Sequence, residues 1–385
     1  MKKKKSPKIA LVHDYLVDYG GAERVLVALH EIYPQAPVYL AILDKKGLGK
    51  TWPVFENWDL RVSWFQRLPF SRKMISLFRF LLPLIWGSFD LSGYDLVISS
   101  SSWAMPKGVK TTGKTKHVCY CHTPPRFLYG YPDARRWTRF WPVRVYAAVV
   151  NHFLRFYDYA SSQKVDCFIA NSKEVAGRIK KFYKKDSVII HPPVNIEIGK
   201  SIKPGASGQT KPFYLFASRL YDYKHPELAI GACHQLGKRL LVSGVGALQA
   251  EVERLASQSQ YVDYLGRATD DQLWKLYADC QAFVYPIDGE DFGMMPIEAA
   301  SFGKPTIGYY SGGIKETILD GKTGVFFDQL TVDSLAQAIE KLESIKINPQ
   351  DCRDWASQFS KENFKKKIKA LVEKVLNEDK EKKED

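Results

Sequence analysis

Two carboxylates, Glu290 and Glu298, bracket a loop and a predicted helix start, with seven residues between them. The apolar run at 281–285 predicts a buried parallel strand, so the loop follows the strand's carboxyl end. Pro296 suits a first helical position and Gly303 a helix end, which places Glu298 in the first turn. Amides at such a corner, aided by the helix dipole, receive phosphate or sugar oxygens. The four amides predicted to face that space belong to Phe292, Gly293, Met294 and Met295.

The same residues also fit a purely structural role. Glu298 in a first turn would stabilise its own helix N-terminus, and Glu290 in a polar loop would simply be solvated. The residue types alone leave a ligand site and this structural role equally open.

Two cations, Arg219 and Lys224, follow a second predicted strand at 214–217. The planar fork of Arg and the point charge of Lys can together clamp a diphosphate above a strand end. The bare R-x4-K spacing is common by chance, so its position after a strand is what makes it informative. Gly244 lies in the turn after the next predicted strand, at 239–243, where the backbone can approach a ligand closely.

The stretch EDFGMMPIEAASFGKPTI resembles the E-x7-E signature of glycosyltransferase family 4. The signature is specific when an internal F-G, a P-x-E and a following G-K-P occur together, as they do here. The resemblance covers most of residues 8–375, strongly in the second half and more loosely at 40–160. It implies an α/β chain with the GT-B fold, in which two Rossmann-like domains face a cleft and the C-terminal one holds a nucleotide-sugar donor.

The resemblance also implies roles for individual residues. Arg219 and Lys224 would hold the donor diphosphate, Glu290 a sugar hydroxyl near the oxocarbenium-like centre, and Glu298 the ribose hydroxyls. The other donor contacts would come from Gly244, from Gly266 towards the base, and from the amides of Phe292, Gly293, Met294 and Met295. Because no Asp-x-Asp occurs, no metal or other cofactor is expected, and the cations and amides would stabilise the leaving diphosphate.

His122 lies where the predicted strand HVCY at 117–120 gives way to a Thr-Pro-Pro turn, a usual place for a ligand-facing side chain in an open α/β sheet. A satisfied structural histidine is the alternative. By resemblance His122 would face the donor sugar, and Arg126 would be a candidate for a donor or acceptor phosphate. Gly20 and Gly21, in GGAE between the first strand and helix, resemble the family's glycine-rich loop, although a plain tight turn fits them too.

The segment HVCYCH contains the residue types of a metal site, two histidines and two cysteines. Alternation along a strand puts His117, Cys119 and Cys121 on one face and His122 on the other. With the ligands split between faces and no second cluster in the sequence, a zinc site is disfavoured. The six cysteines lie mostly in apolar segments, which predicts a reducing cytoplasm and no disulfide framework.

A chain of 385 residues is long enough for about two domains. The segment 196–212, rich in Gly, Ser and Pro, is the best linker candidate. We expect an N-terminal acceptor-binding domain at 1–200 and a nucleotide-sugar-binding domain at 201–355. By resemblance a helix at 356–376 would cross back to the first domain, and 377–385 would form a disordered tail.

The net charge of +14 is concentrated in the first half of the chain. Residues 1–195 contain 31 Lys and Arg against 14 Asp and Glu, whereas residues 196–385 contain 25 against 28. Such asymmetry predicts a large anionic partner: a membrane surface, a nucleic acid or a phosphorylated acceptor. No nucleic-acid motif accompanies the charge, so nucleic acid is not expected.

Two segments of the basic half, 61–92 and 135–160, mix aromatic residues with Arg and Lys at helix-like spacing. Interfacial amphipathic helices have this composition, and so do helices that bury their aromatic residues in a core. The aromatic residues are Trp64, Phe65, Phe70, Phe78, Trp86, Trp137, Phe140, Trp141, Phe153 and Phe156. With no apolar run of about 18 residues and no signal cleavage site, we expect peripheral attachment to the cytoplasmic face of the plasma membrane.

The expected activity is that of a retaining, metal-independent hexosyltransferase. The HDYL, GGAE and YCHTPPR segments look closest to mannose-transferring members, which implies GDP-mannose as donor and a lipid-linked or polysaccharide-precursor acceptor. Two alternatives come from other classes. A GT-B epimerase would act on the nucleotide sugar without an acceptor, and a non-catalytic membrane-associated nucleotide-binding protein would keep the cations without turnover.

Overall fold

The computed structural model describes residues 7–132 and 140–381. Contacts divide the chain into two units, Met1–Pro193 with Glu362–Asp385, and Val194–Lys361. The segment 196–212, expected to be a linker, belongs to the second unit, where its short helix Ile198–Ser201 packs on the helix Met294–Ser301. Trp137 lies outside the described residues.

Seven parallel strands form the sheet of the first unit, and apolar runs such as IALVH are buried along nearly their whole length, as parallel strands covered on both faces require. The strands are β1 (Ile9–His13), β2 (Val38–Leu40), β3 (Leu60–Val62), β4 (Leu96–Ser101), β5 (Lys116–Cys121), β6 (Cys167–Ala170) and β7 (Ser187–Ile189). Their order is β3-β2-β1-β4-β5-β6-β7. The helices are α1 (Gly21–Ile32), α2 (Lys45–Leu48), α3 (Ser71–Met74), α4 (Leu82–Gly87), α5 (Arg126–Tyr129), α6 (Trp141–Gln163) and α7 (Lys173–Tyr183).

The second unit repeats this architecture with six parallel strands. They are β8 (Tyr214–Ala217), β9 (Leu240–Ser243), β10 (Val262–Tyr264), β11 (Ala282–Tyr285), β12 (Thr306–Tyr309) and β13 (Gly324–Phe327), in the order β10-β9-β8-β11-β12-β13. The helices are α8 (Ile198–Ser201), α9 (Pro226–Gln235), α10 (Gln249–Ser257), α11 (Asp270–Asp279), α12 (Met294–Ser301), α13 (Val332–Ser344) and α14 (Pro349–Ser357).

Both sheets contain a point where the strand order reverses. It lies between β1 and β4 in the first unit and between β8 and β11 in the second. Ligands of open α/β sheets bind outside the carboxyl ends of the strands at such a switch point. The loops that follow these four strands are therefore where function is expected.

Residues 61–92 form no single amphipathic helix. Pro69 and the left-handed Phe70, with a φ of 57°, interrupt the segment, which instead makes α3, α4 and two short 3₁₀ turns. Its aromatic residues divide between two environments: Phe65 and Trp86 are buried in the core, whereas Phe70 is exposed. The core interpretation is thus confirmed for Phe65 and Trp86, and contact with a membrane surface stays a prediction for the exposed part of the segment.

Helix α6 is amphipathic and its inner side is fixed by a buried ion pair. Asp158 on α6 accepts from Lys107, and both side chains are buried. The hydroxyl of Tyr129 donates to the second carboxylate oxygen at 2.8 Å, so the buried charges are hydrogen-bonded as well as paired. Among the described residues, no helix has the length and apolar character needed to cross a membrane.

The last helix, α15 (Lys361–Glu381), packs four apolar side chains into the core of the first unit: Phe364, Ile368, Val372 and Val375. Their helical spacing had predicted this helix. It continues through residues 377–381, which were expected to be disordered. Residues 382–385 lie outside the described residues.

All six cysteines are free, and five of them are buried, with Cys167 partly exposed. Burial raises the pKa of the Cys233 and Cys280 thiols to about 12. These thiols are packed as small apolar side chains.

Candidate active site

The loops after β8 and β11 meet in an ion pair at the switch point of the second unit. The ammonium group of Lys224 donates to Oε2 of Glu290 at 2.6 Å, with side chains only 11% and 18% exposed. The Tyr285 hydroxyl donates to the same oxygen at 3.0 Å. Burial, reinforced by the Glu290 charge, raises the pKa of Tyr285 far above its ordinary value, so its hydroxyl stays a donor. Lys224 and Tyr285 therefore hold the Glu290 carboxylate in one orientation.

Arg219 lies in the same loop as Lys224, five residues earlier. Its side chain is exposed and has no ion-pair partner among the residues that the structure describes. The loop thus presents one cation already paired with an acid and a second one available to an incoming anion.

The Glu290 loop is supported from behind by a pair of glycines. The Gly313 amide donates to the Glu290 carbonyl at 2.8 Å. A Cβ on Gly312 would lie 2.4 Å from the same carbonyl oxygen, and a Cβ on Gly313 would lie 2.4 Å from the carbonyl oxygen of Asp291. Only glycine permits this approach of the two backbones. The SGGIKE segment therefore positions the backbone of the Glu290 loop.

Helix α12 begins at Met294, two residues before the predicted start at Pro296. A proline is tolerated anywhere in a first turn, where no intrahelical partner is needed, so Pro296 did not mark the first position. Glu298 consequently lies in the second turn, is buried, and was wrongly assigned to the first. Gly293, with a φ of 90°, is the N-cap residue of α12.

The loops after β9 and β10 are hydrogen-bonded to each other beside the β8 loop. The Gly244 amide donates to the Gly266 carbonyl at 2.8 Å, and the Tyr264 hydroxyl donates to the Gly244 carbonyl at 2.7 Å. A Cβ on Gly244 would lie 1.8 Å from the carbonyl oxygen of Ser218, next to Arg219. The structure thus brings Gly244, Gly266 and Arg219 to one end of the sheet.

In the first unit, His122 follows β5 and is partly exposed. Its Nε2 lies 2.8 Å from the Ser100 hydroxyl, which also lies 3.0 Å from Nδ1 of His13. Nε2 of His13 lies 3.5 Å from Oε1 of Glu23, whose other oxygen accepts from the Gly20 amide at 2.8 Å. His13, Glu23, Ser100 and His122 form a connected set, which we call the histidine chain.

Burial lowers the pKa of His122 to about 3, so its ring is neutral near pH 7. Burial alone would raise the pKa of Glu23, but the hydrogen bonds of His13 and Gly20 outweigh it and the pKa falls below its ordinary value. The Glu23 carboxylate is therefore ionised inside the unit.

The other candidates of the first unit have structural contacts of their own. Gly20 is the N-cap of α1 and Gly21 its first residue, so α1 begins about three residues before the predicted start at Arg24. The guanidinium of Arg126 donates to the Pro132 carbonyl at 3.1 Å. His117 binds the Ser99 hydroxyl at 2.8 Å, apart from His122. In the described part of the chain, no group of three His, Cys, Asp or Glu is arranged to hold a metal ion.

A groove of about 820 Å³ lies at the opposite end of the second sheet, lined by residues that precede β8, β11 and β12. Its acid Asp279 is used to hold a loop, since it accepts from the amides of Gly205 and Ser207 at 2.5 and 2.7 Å. The groove lies far along the strands from Glu290 and contains none of the predicted site residues.

Two sequence profiles match consecutive parts of the chain. One, described as Glycosyltransferase Family 4, matches residues 19–198, and the other, described as Glycosyl transferases group 1, matches residues 197–362. The chain belongs to glycosyltransferase family 4. The family predicted from the E-x7-E stretch is confirmed, and the protein is a glycosyltransferase of this family.

Related proteins support the same family. An uncharacterized glycosyltransferase of Methanocaldococcus jannaschii is 26% identical over 213 residues, 55% of this chain and 58% of that protein. The alpha-1,3/1,6-mannosyltransferase ALG2 of Dictyostelium discoideum is 24% identical over 436 residues, 97% of this chain and 100% of that protein. A GDP-mannose-dependent alpha-(1-6)-phosphatidylinositol monomannoside mannosyltransferase of Mycolicibacterium smegmatis is 29% identical over 147 residues, 34% of this chain and 38% of that protein. The chain thus spans less than two thirds of the archaeal and mycobacterial proteins and the whole of the Dictyostelium protein.

Solved structures of glycosyltransferases have the same fold. Anabaena HepE, crystallised with UDP and glucose, aligns with a TM-score of 0.68 and 20% identity over 95% of this chain and 99% of its own. Sucrose-phosphate synthase from Thermosynechococcus elongatus aligns with a TM-score of 0.68 and 16% identity over 95% and 99%. The predicted GT-B fold is confirmed.

Several polar residues of the site were not predicted from the sequence: His13, Glu23, Ser100 and Tyr285. Glu23 lies within GGAE and His13 ends the first strand, so their positions carried a signal that could have been used. Tyr285 was assigned to an apolar strand run, and only its contact with Glu290 reveals the use of its hydroxyl.

Gly313→Ala should destabilise the second unit. The new Cβ would meet the Asp291 carbonyl oxygen at 2.4 Å and the Phe292 Cα at 2.6 Å, so the loop must shift. Overpacking of this kind costs roughly 1–3 kcal/mol, measurable by urea unfolding. Gly177→Ala, in α7 with no atom within 4 Å of its Cβ, is the matched control and should not destabilise. Equal unfolding free energies for Gly313→Ala and the wild type would contradict the steric argument.

Proposed function

We propose that this glycosyltransferase is a retaining, metal-independent enzyme that transfers mannose from GDP-mannose to a lipid-linked or polysaccharide-precursor acceptor at the cytoplasmic face of the membrane. The observation that carries the proposal is the Lys224–Glu290 contact, which joins a cation and a hydroxyl-binding acid at the switch point of the second unit.

In the proposed reaction, the bond between the sugar C1 and the diphosphate oxygen breaks and its electron pair stays on the diphosphate. The acceptor oxygen bonds to C1, and its proton passes to the leaving diphosphate. Arg219, Lys224 and the first amides of α12 stabilise the charge that develops on the diphosphate. These cations supply the charge that a divalent metal would otherwise contribute, which supports metal independence.

Glu290 would accept a hydrogen bond from a sugar hydroxyl, because an ionised carboxylate offers several acceptor positions. Glu298, buried in α12, would bind the ribose hydroxyls, and His122 of the first unit would contact the sugar. These roles are carried over from the family signature.

The choice of mannose and GDP is supported by relatives of this chain. ALG2 of Dictyostelium discoideum is a mannosyltransferase that aligns with 97% of this chain, and the mycobacterial relative is a GDP-mannose-dependent mannosyltransferase. The latter acts on a phosphatidylinositol monomannoside, which favours a lipid-linked acceptor here.

The outer face of α6 supports attachment to a membrane surface. Exposed apolar side chains follow one another at helical spacing along it: Trp141, Val145, Val149, Phe153 and Phe156. Trp141, Phe153 and Phe156 are 74%, 67% and 65% exposed. Soluble surfaces rarely show such a continuous apolar stripe, and interfacial helices insert one between headgroups.

Cations flank this stripe. Arg144 and Arg155 are both exposed and lie eleven residues apart, so they fall on the same edge of α6. The first half of the chain carries the basic excess. An apolar stripe with arginines at its edge matches a bilayer rich in anionic lipid, in which the rings enter the headgroup layer and the arginines meet lipid phosphates.

Glu290→Ala should lower the turnover number by about 10² or more, as the loss of a contact made in the transition state does. The test is mannosyl transfer from GDP-mannose to a membrane lipid extract. Glu343→Ala is the matched control, because Glu343 also binds a lysine and a tyrosine, Lys238 and Tyr214, but near the opposite end of the sheet. Wild-type turnover for Glu290→Ala would remove Glu290 from the site. If the wild type epimerises or hydrolyses the donor without transfer, the protein is an epimerase. If the wild type shows no turnover at all, it is a binding protein.

Replacing both Arg219 and Lys224 with Ala should weaken the binding of GDP by about tenfold or more, since each charge-assisted hydrogen bond contributes about 1.5–3 kcal/mol. Isothermal titration of GDP measures this, with Lys238→Ala as a control that removes a lysine outside the site. An unchanged affinity in the double variant would refute the diphosphate clamp.

Binding to vesicles should require anionic lipid and weaken with salt. Replacing Arg144 and Arg155 with Gln should reduce vesicle binding roughly 30-fold, at about 1 kcal/mol for each cation near the surface. Replacing the exposed Lys366 and Lys369 of α15 with Gln changes the net charge equally and should have less effect. Sedimentation with vesicles of graded anionic content is the measurement. Equal binding to neutral vesicles would exclude the electrostatic account.

A further inference from the structure

The histidine chain joins two strands across the switch point of the first unit and ends at the partly exposed His122. His13 ends β1, Ser100 lies on β4, and Glu23 lies in the first turn of α1. The first three side chains are buried, at 1%, 1% and 6% exposure for His13, Ser100 and Glu23. Buried polar groups interact strongly because water does not compete, so each hydrogen bond constrains the next.

The direction of the hydrogen bonds follows from the end at Glu23. Its ionised carboxylate can only accept, so Nε2 of His13 must carry a proton to contact it. A neutral His13 then has an accepting Nδ1, which requires the Ser100 hydroxyl to donate to it. The Ser100 oxygen is left to accept, so Nε2 of His122 must donate.

The neutral form of His13 is the one that the geometry favours. Its contact with Glu23 is 3.5 Å long, whereas charge-assisted N–H···O bonds are about 2.7–2.9 Å. A charged ring with 1% exposure would also require a closer partner to offset the loss of water.

We infer that Glu23, His13 and Ser100 are positioning residues that hold His122 in the Nε2–H tautomer and leave its Nδ1 as a hydrogen-bond acceptor for a hydroxyl of the substrate. The substrate assignment rests on the proposed function, whereas the tautomer does not. Within the described residues, Nδ1 of His122 has no hydrogen-bond partner. Which nitrogen of an imidazole carries the proton is decided by the bond that the other nitrogen makes.

A neighbouring pair provides an internal control. Ser99 and His117 make the same kind of buried contact at 2.8 Å between a β4 serine and a β5 histidine. Ser99 and Ser100 are adjacent on β4 and point to opposite faces of the sheet. A loss of stability common to any buried serine would therefore appear in both Ser99→Ala and Ser100→Ala. A change in the tautomer of His122 would appear only in Ser100→Ala.

The tautomer of His122 can be read directly from the two ring ¹⁵N signals in the spectrum of the full chain, with His122→Gln used for assignment. The wild type should show Nε2 protonated and Nδ1 unprotonated. An Nδ1–H form, or a mixture of the two forms in equal parts, would overturn the inference. This measurement needs neither substrate nor activity, so it stands whatever the variants do.

Glu23→Gln should reverse the donor and acceptor roles along the histidine chain. The Gly20 amide donates to Oε2 of Glu23, so the glutamine carbonyl must take that position and turn its NH₂ towards His13. His13 then accepts at Nε2 and donates from Nδ1, Ser100 donates to His122, and His122 becomes the Nδ1–H tautomer. Ser100→Ala should leave His122 without a fixed tautomer, whereas Ser99→Ala should match the wild type.

Transfer kinetics separate this inference from the proposed function. Glu23→Gln should lower kcat by about tenfold or more, with the KM for the nucleotide sugar nearly unchanged, as typical losses of supporting hydrogen bonds predict. The expected tautomers without any glycosyl transfer would sustain the histidine chain and refute the proposed function. Transfer at the wild-type rate, with an Nε2–H His122 in Glu23→Gln, would refute the histidine chain alone.

Discussion

The ion pair between Lys224 and Glu290 is the contact on which the second unit's site depends. It ties together loops that leave two neighbouring strands, β8 and β11, at the point where the order of the sheet reverses. Each partner limits the other: the lysine orients the carboxylate, and the carboxylate keeps the lysine next to the strand ends. The buried Tyr285 hydroxyl donates to the same oxygen and provides a second contact that holds the acid in place.

The polar contacts at the switch points of the two units differ in chemistry. In the first unit His13 of β1 meets Ser100 of β4, whereas in the second unit a charged pair, Lys224 and Glu290, joins the loops that follow β8 and β11. A charged pair suits an anionic diphosphate, and a neutral imidazole suits a hydroxyl group. Glycines at 244, 312 and 313 allow the loops to approach closely enough for these contacts in the second unit.

The sequence predicted the parts of the fold and site that depend on local pattern. Apolar runs located the strands, and the spacing of Phe364, Ile368 and Val372 located the last helix. Glu290 and Lys224 were predicted as site residues because each follows a strand, and the carboxyl ends of parallel strands lie at one edge of the sheet. Their mutual contact could not be predicted, since it joins residues 66 positions apart. The start of α12 was misplaced because a proline fits several positions of a first turn.

The state of the cysteines has a practical consequence for spectroscopy. Only one of the six native thiols, Cys167, is partly exposed, and the other five are buried, which raises the pKa of the Cys233 and Cys280 thiols to about 12. A single cysteine introduced on the outer face of α6 would therefore react with a maleimide dye far faster than the native background. The fluorescence of such a dye would test whether this face contacts a lipid surface, without a cysteine-free background chain.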